Sequence, residues 1–231
     1  MKYPRVLVAT PHADRKNYCL EQYLDVLDSL SYPNMEILVV DNSDSRKNYK
    51  MFTKRGIRCI HIKPKRKSNI KYICESHNEI RDYAIRHDFP FILHLESDII
   101  PPPNIVEQLI AHKKKVVGAT YFIAGGENSH LMNIEIEKDG VSTRLTKRML
   151  DGNDFQFVDG TLKQVHSTGL GCLLIHTDIF AKVPFRFEEG IDAHPDTFFA
   201  LDLQELGIPI FCDTSIICEH NNTEWTEFMK A

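Results

Sequence analysis

The sequence predicts an α/β protein with a central, mostly parallel sheet flanked by helices, and three observations carry that prediction. Segments of strand pattern alternate with segments of helical pattern through the first hundred residues. Two of the strand segments, "EILVVD" (Glu36 to Asp41) and "FILHL" (Phe91 to Leu95), are almost wholly apolar, as strands covered on both faces are. The chain has 231 residues, 42% of them apolar, enough to bury a sizeable core. Strand, helix, strand in this order implies parallel strands joined by right-handed crossovers.

Taken in order, "RVLVAT" (Arg5 to Thr10) reads as the first strand. Residues 18–30 read as an amphipathic helix, with Leu20, Tyr23, Leu24, Leu27 and Leu30 at helical spacing. The second strand is Glu36 to Asp41, and a helix around 45–55 leads to a third strand, Arg58 to Ile62. A long helix over Tyr72 to His87 precedes the fourth strand, Phe91 to Leu95, which stops before Pro101-Pro102-Pro103.

Beyond the prolines the pattern changes. A short helix (Ile105 to His112) is followed by a strand at Val116 to Phe122 and by strand-like runs near 131–137 and 155–166. Gly171 to His176 reads as a buried strand, with Thr177 as N-cap of a short helix. Asp196 to Gly207 reads as a helix with Asp196 near its start and Gly207 as its stop, and "IPIFCD" and "SIICEH" close the pattern. No internal repeat, low-complexity tract or long linker appears. Residues 1–231 are expected to form a single domain, with a nucleotide-type half near 1–100 and a more irregular half near 101–231.

The net charge of −4 and the 26% charged fraction argue against a general nucleic-acid binder, which would be strongly basic. No run of about eighteen apolar residues exists, so no spanning helix is expected. Met1 to Arg5 lacks a signal-peptide core, which predicts a cytoplasmic chain. Six cysteines are scattered without a CxxC pair, so buried free thiols are expected rather than a zinc knuckle or redox motif. Cys212 and Cys218, which flank an expected turn, are the one pair placed to cross-link.

In an open parallel sheet, ligands bind outside the carboxyl ends of the strands. Those ends read Thr10-Pro11-His12, Asp41-Asn42-Ser43 and Glu96-Ser97-Asp98. Asp41 or Asp98 alone reads equally well as a turn residue. Acid at both ends, with Glu96 added, points to a ligand. Two carboxylates in one enclosed site need a compensating positive charge, and a hard divalent cation bound with substrate phosphates is the natural one. No P-loop and no GxGxxG follows the first strand, so a phosphate would be gripped through the metal. "KPKRK" (Lys63 to Lys67) reads as a solvated loop, or functionally as a segment that steers a diphosphate or docks on an anionic membrane surface, and the lone Trp225 as a packing residue of the tail or a sugar-stacking one.

Four blocks in register then resemble one family. "VLVATPHADRKNYCLEQYLDVLDSLSYPNMEILVVDNSDS", "SHNEIRDYAIRHDFPFILHLESDIIPPPNIVEQLI", "HSTGLGCLLIHTDIFAKVPF" and "HPDTFFALDLQELGIPIFCDTSIICEH" look like the successive motifs of a family 2 type glycosyltransferase of the GT-A fold. The resemblance spans about residues 5–220. It implies a nucleotide-binding half abutting an acceptor-binding half, and a metal-dependent, inverting transfer of a hexose-type sugar from a nucleoside diphosphate donor to an acceptor hydroxyl. UDP-sugar is the favoured donor and GDP-sugar the second choice. The acceptor would be a glycan, a lipid-linked sugar or a protein, with no nucleic acid involved and with peripheral membrane contact in the lipid-linked case.

By the same resemblance, Thr10 and Pro11 would border the base and Asp41 would contact the base or its ribose. Glu96 would touch ribose or a metal-bound water, and Asp98 would ligate Mn²⁺ or Mg²⁺ directly. His220 would be the second protein ligand, a nitrogen that suits Mn²⁺ better. Asp196 would be the catalytic base, and Gly169 and Gly171 would let backbone approach the sugar. The chain departs from the family at three places. The DxD motif reads "ESD". Pro195-Asp196 replaces Glu-Asp, with His194 and Asp192 near. His77-Asn78 replaces Arg-Asn, leaving Lys71 as an alternative partner for the diphosphate. A sugar nucleotidyltransferase, or a non-catalytic nucleotide- or glycan-binding module of the same fold, are the competing readings. The first would be expected to carry a Gly-rich basic loop after the first strand, which "TPHADRKNY" lacks.

Overall fold

A computed structural model describes residues 3–63, 69–122, 130–138, 141–146, 159–191 and 193–221. Lys65 to Lys67, Asp192, Trp225 and the run 155–158 lie outside the described residues.

The parallel half forms as its sequence pattern requires. Strand β1 (Val6–His12) is followed by a 3-10 turn (Asp14–Cys19), α1 (Leu20–Ser29), β2 (Met35–Asp41), α2 (Lys47–Lys54), β3 (Arg58–His61), α3 (Asn69–Arg86) and β4 (Phe91–Leu95). β1 lies between β2 and β4, parallel to both, and β3 extends the sheet beyond β2. Alternation along each strand divides the core into two layers. Leu7, Ala9, Leu38, Val40 and Ile92 face α3, where Ile80, Tyr83 and Ala84 are buried. Val6, Val8, Val39, Leu93 and Leu95 face the opposite side, against Tyr23, Leu24 and Leu27 of α1 and Phe52 of α2. Each such side chain contributes about 1.5–3 kcal/mol by leaving water, so both faces must stay covered.

The second half adds β5 (Ile99–Ile100), α4 (Ile105–Ala111), β6 (Val116–Tyr121), β7 (His130–Lys138), β8 (Val141–Thr146), β9 (Leu162–Val165), β10 (Cys172–His176), α5 (Thr177–Phe180), α6 (Pro195–Glu205) and β11 (Ile210–His220). The main sheet runs β3-β2-β1-β4-β10-β6-β11-β5, with β9 on β11, and β7 and β8 form a separate hairpin. Strands from both halves thus share one sheet. β10 enters antiparallel to β4 and β6, while β6 and β11 are parallel. A run such as "CLLIH" is buried on both faces in either direction, so its apolar pattern carries no sign of strand direction.

Three local expectations change. The helix expected from Tyr18 begins at Leu20, because Asp14 to Cys19 forms the tighter turn first. The N-cap of α5 is His176, whose ring nitrogen accepts from the Asp178 amide at 3.3 Å; Thr177 is the first helical residue, and its hydroxyl donates to the Phe89 carbonyl. "IPIFCD" and "SIICEH" belong to one strand, β11, whose pairing slips between Asp213 and Ile217. Asp213 accepts from the Ser215 amide at 2.9 Å and hydroxyl at 2.6 Å, a local loop that reads as a turn in sequence but sits within a strand. All six cysteines are free thiols, including Cys212 and Cys218.

Candidate functional site

Strands β1, β2 and β4 end along one edge, with His12 in register with Asp41. The chain leaves β4 through Glu96-Ser97-Asp98. The Glu96 amide donates to the Gly171 carbonyl at 2.9 Å, and the Ile99 amide returns to the Glu96 carbonyl at 3.1 Å. The two-residue β5 then pairs with the end of β11, placing Ile99 opposite His220. The Asn221 amide donates to the Asp98 carbonyl at 2.8 Å. These backbone bonds fix Asp98 beside His220 across 122 positions of sequence.

Asp98 is buried, with a side chain only 1% exposed. Its Oδ1 accepts from Lys16 Nζ at 2.7 Å, and its Oδ2 faces Tyr18 Oη and His220 Nε2, each at 3.4 Å. Lys16 also reaches Glu96 Oε2 at 3.0 Å. Burial alone would raise the Asp98 pKa, but the Lys16 charge and the His220 contact outweigh it and hold the carboxyl well below its usual range. Burial likewise opposes charge on Lys16; Glu96 and Asp98 prevail and keep it protonated well past the usual lysine range. His220 is raised, because Asp98 outweighs the burial that would lower it.

His220 is oriented from behind. Its Nδ1 lies 2.6 Å from the Phe122 carbonyl, which can only accept, so Nδ1 carries the proton and Nε2 points to Asp98. Its ring stands edge-on to Tyr121 at 5.5 Å. The Tyr121 hydroxyl in turn accepts from the Gly171 amide at 2.8 Å. Burial first, then the charges of Glu96, Asp196 and Asp98, push the Tyr121 phenol up, so all three carboxylates bear on one buried ring.

Asp196 lies in the first turn of α6, behind His194 as N-cap and Pro195. It is 8% exposed, and its Oδ1 accepts from the Thr197 amide at 2.8 Å. Burial raises its pKa; the nearby His194 pulls the other way.

The remaining expected residues are engaged within the chain. The Thr10 hydroxyl donates to the Leu95 carbonyl at 2.5 Å and also contacts the Tyr23 hydroxyl; Pro11 is half-buried beside it. Asp41 is fully enclosed. It accepts from the Ser43 amide at 3.1 Å and hydroxyl at 2.5 Å, from the Tyr49 amide at 3.2 Å, and faces His61 Nδ1 at 3.1 Å. In the protein itself Asp41 shapes the loop from β2 to α2. Gly169 is buried on the approach to β10. At Gly171 a Cβ would lie 2.4 Å from the Tyr121 hydroxyl, so what this glycine accommodates within the chain is Tyr121. Of the departures, Asn78 clamps Phe185, donating to its carbonyl at 2.8 Å and accepting from its amide at 3.0 Å. His77 is buried against His94.

Lys16, Tyr18, Tyr121 and Asn221 are site residues that sequence reasoning missed. For Lys16 a signal existed, since the same charge argument that called for a metal also calls for any cation. For Tyr121 and Asn221 the sequence carries none. As to a metal, the donor set suits one. A carboxylate oxygen and an imidazole nitrogen lie 3.4 Å apart, and the histidine is backed by a carbonyl in the manner of ligating histidines. Among the described residues no three His, Cys, Asp or Glu side chains form a group that could hold a metal ion, so what these residues offer is this pair. That matches Mn²⁺ or Mg²⁺ sites completed by water and substrate phosphate.

No protein-family model matches the sequence. No curated protein matches it either. Among solved structures it is similar to the crystal structure of GalNAc-T7 with UDP, GalNAc and Mn²⁺, with a TM-score of 0.63 and 11% sequence identity. The match covers 94% of this chain and 44% of that one, so this chain spans less than half the length of that protein. Among the described residues no helix is long and apolar enough to cross a membrane. At that identity the likeness speaks for the fold: a mixed α/β chain whose large sheet, flanked by helices, is GT-A-like.

Proposed function

We propose that this chain is a glycosyltransferase of the family 2 type, moving a hexose-type sugar from a nucleoside diphosphate sugar to an acceptor hydroxyl with inversion. The observation that carries the reading is the meeting of Asp98 and His220 at the carboxyl edge of the sheet, beside Glu96 and the buried Asp196. UDP-sugar is the favoured donor, a choice supported by the UDP bound in the GalNAc-T7 structure, and GDP-sugar is the second.

Asp98 and His220 would hold Mn²⁺ or Mg²⁺, which supplies a Lewis acid for the charge that develops on the leaving diphosphate. The chain's own residues do the rest. Thr10 and Pro11, with the Asp41-braced loop, form the wall for base and ribose. Glu96 reaches the ribose. The enclosed Asp196, whose basicity burial raises, takes the proton of the acceptor hydroxyl. That oxygen then bonds to the anomeric carbon as the carbon–diphosphate oxygen bond breaks on the opposite face. The half near 101–231 would receive the acceptor, whether glycan, protein or lipid-linked sugar. For a lipid-linked acceptor, Lys63 to Lys67 would meet the anionic surface.

The test is to incubate the protein with Mn²⁺ and a panel of nucleotide sugars and to follow nucleotide release. Turnover of one donor supports transfer. Tight binding of a donor without turnover would identify a binding module of the same fold. Formation of a nucleotide sugar from sugar phosphate and nucleoside triphosphate would identify a nucleotidyltransferase.

A further inference from the structure

The enclosed carboxylate of Asp98, with the partly exposed Glu96 beside it, calls for a positive charge, and the chain already supplies one. Lys16 Nζ lies 2.7 Å from Asp98 Oδ1 and 3.0 Å from Glu96 Oε2, with a side chain only 11% exposed. It is delivered by the Asp14–Cys19 turn, in which the Lys16 amide donates to the Ala13 carbonyl at 2.8 Å. Asn48 anchors that turn from α2, donating to Asp14 Oδ1 at 3.1 Å and Asn17 Oδ1 at 2.9 Å. The ammonium is therefore held in place by elements outside the acidic pair.

With Lys16 in position, the two acids and one ammonium leave a single net negative charge. Asp98 Oδ1 is engaged, and Oδ2 alone faces His220. A bare divalent cation arriving at Asp98 and His220 meets an ammonium across the same carboxylate, and in an enclosed site that repulsion is weakly screened. A diphosphate reverses the balance. It adds negative charge beside the cation and offers the lysine a second set of acceptors on its flexible stem.

Resting on the donor and metal reading above, we propose that Lys16 is a resident cation that competes with the divalent metal for the Glu96–Asp98 pair. Metal and nucleoside diphosphate then enter this site together, rather than metal first.

The test titrates the intact protein with Mn²⁺ alone and with Mn²⁺ plus UDP, by calorimetry and by the Mn²⁺ paramagnetic signal. Lys16→Gln is expected to tighten Mn²⁺ binding in the absence of nucleotide by about tenfold or more, while Lys16→Arg, which keeps the charge, stays near the parent. UDP should strengthen Mn²⁺ binding more in the parent than in Lys16→Gln. Equal or weaker Mn²⁺ binding in Lys16→Gln overturns the proposal. Glu96→Gln, with Lys16 intact, provides an independent arm should the lysine variants not fold. It cancels the remaining net charge and should weaken Mn²⁺ binding by about tenfold, and an unchanged affinity also overturns the proposal. Asp98→Asn in the presence of UDP separates the two layers of argument. If the parent shows Asp98-dependent Mn²⁺–UDP binding while Lys16→Gln matches it, the lysine inference fails and the site reading stands. If the parent shows no such binding, the site reading fails and the inference falls with it.

Discussion

The Nε2 of His220 stands 3.4 Å from the Oδ2 of Asp98, with the far side of the imidazole tied to the Phe122 carbonyl at 2.6 Å. A ring whose Nδ1–H is committed to a carbonyl presents its other nitrogen to the carboxylate, where the two either share a proton, as the raised pKa of His220 reflects, or hold a cation between them. The pairing depends on β5, since Ile99 lies opposite His220 and carries Asp98 next to it. A two-residue strand is thus what brings the ends of β4 and β11 into one site.

That arrangement predicts the effect of His220→Gln. Glutamine keeps the polarity and rough size but cannot place an imidazole nitrogen against Asp98. Mn²⁺ affinity, measured with UDP present, should fall by at least about 10–100-fold, the cost of losing merely an outer-shell partner of a ligating histidine. Secondary structure by circular dichroism should be unchanged. Full-strength Mn²⁺ binding in this variant would remove His220 from the site.

Asp196→Asn separates chemistry from binding. The amide occupies the same space in the first turn of α6 and still accepts from the Thr197 amide, so the helix start survives. It cannot take a proton. Transfer should drop by about a hundredfold to ten-thousandfold, the usual contribution of a general base, with donor affinity nearly intact. If Asp196 only stabilises the helix start, turnover will match the parent and melting will shift by about 1 kcal/mol instead.

Gly171 makes a stability prediction. A methyl group there would lie 2.4 Å from the Tyr121 hydroxyl and 2.5 Å from its ring, and Tyr121 is buried between the site and β10. Gly171→Ala should destabilise by about 1–3 kcal/mol through overpacking, read as a lowered urea midpoint. Combining it with Tyr121→Ala, which empties the space, should cost less than the two single losses summed. Additive losses would mean that the glycine answers to something other than Tyr121.

Much of this was legible in the chain, for physical reasons that also explain what was not. Strands β1, β2 and β4 bury both faces, so their apolar runs announce them, and the acids at their ends stand out against that background. Asp98 and His220 could be paired only through the resemblance, because nothing local links residues 122 apart. For Lys16 the charge argument called for a cation, yet nothing in the sequence singled out this one. It sits in a polar six-residue turn with no periodicity, and only the fold shows that its side chain leaves solvent for the acidic pair. The strand direction of β10 and the bulge in β11 are likewise tertiary facts, set by neighbours rather than by the residues' own pattern.

The last prediction concerns two histidines that take no part in the proposed chemistry. His77 and His94 are buried together behind the site, their Nδ1 atoms 3.3 Å apart, packed against Phe185. Among the described residues, His94 Nε2 has no hydrogen-bond partner. Burial lowers His77 to about 4, with Glu96 opposing and Lys16 and His194 assisting, and burial with the His77 neighbour lowers His94 well below 6.5. Above pH 6.5 both rings are neutral whether the chain is folded or not, and they add no pH dependence. As pH falls from 6.5 towards 4, the unfolded chain takes up protons that the folded chain refuses. Stability is therefore lost in that window, at up to about 1.4 kcal/mol per pH unit for each histidine. Below about 4 His77 protonates in the folded state too, and its share of the slope ends. Urea unfolding of the parent and of His77→Phe between pH 7.5 and 4.5 isolates the effect, since the other titrating groups are common to both. The variant's stability should fall less steeply with acid, whatever the offset at neutral pH. Parallel curves would show that His77 takes up its proton equally in the folded and unfolded chain, against everything its enclosure implies.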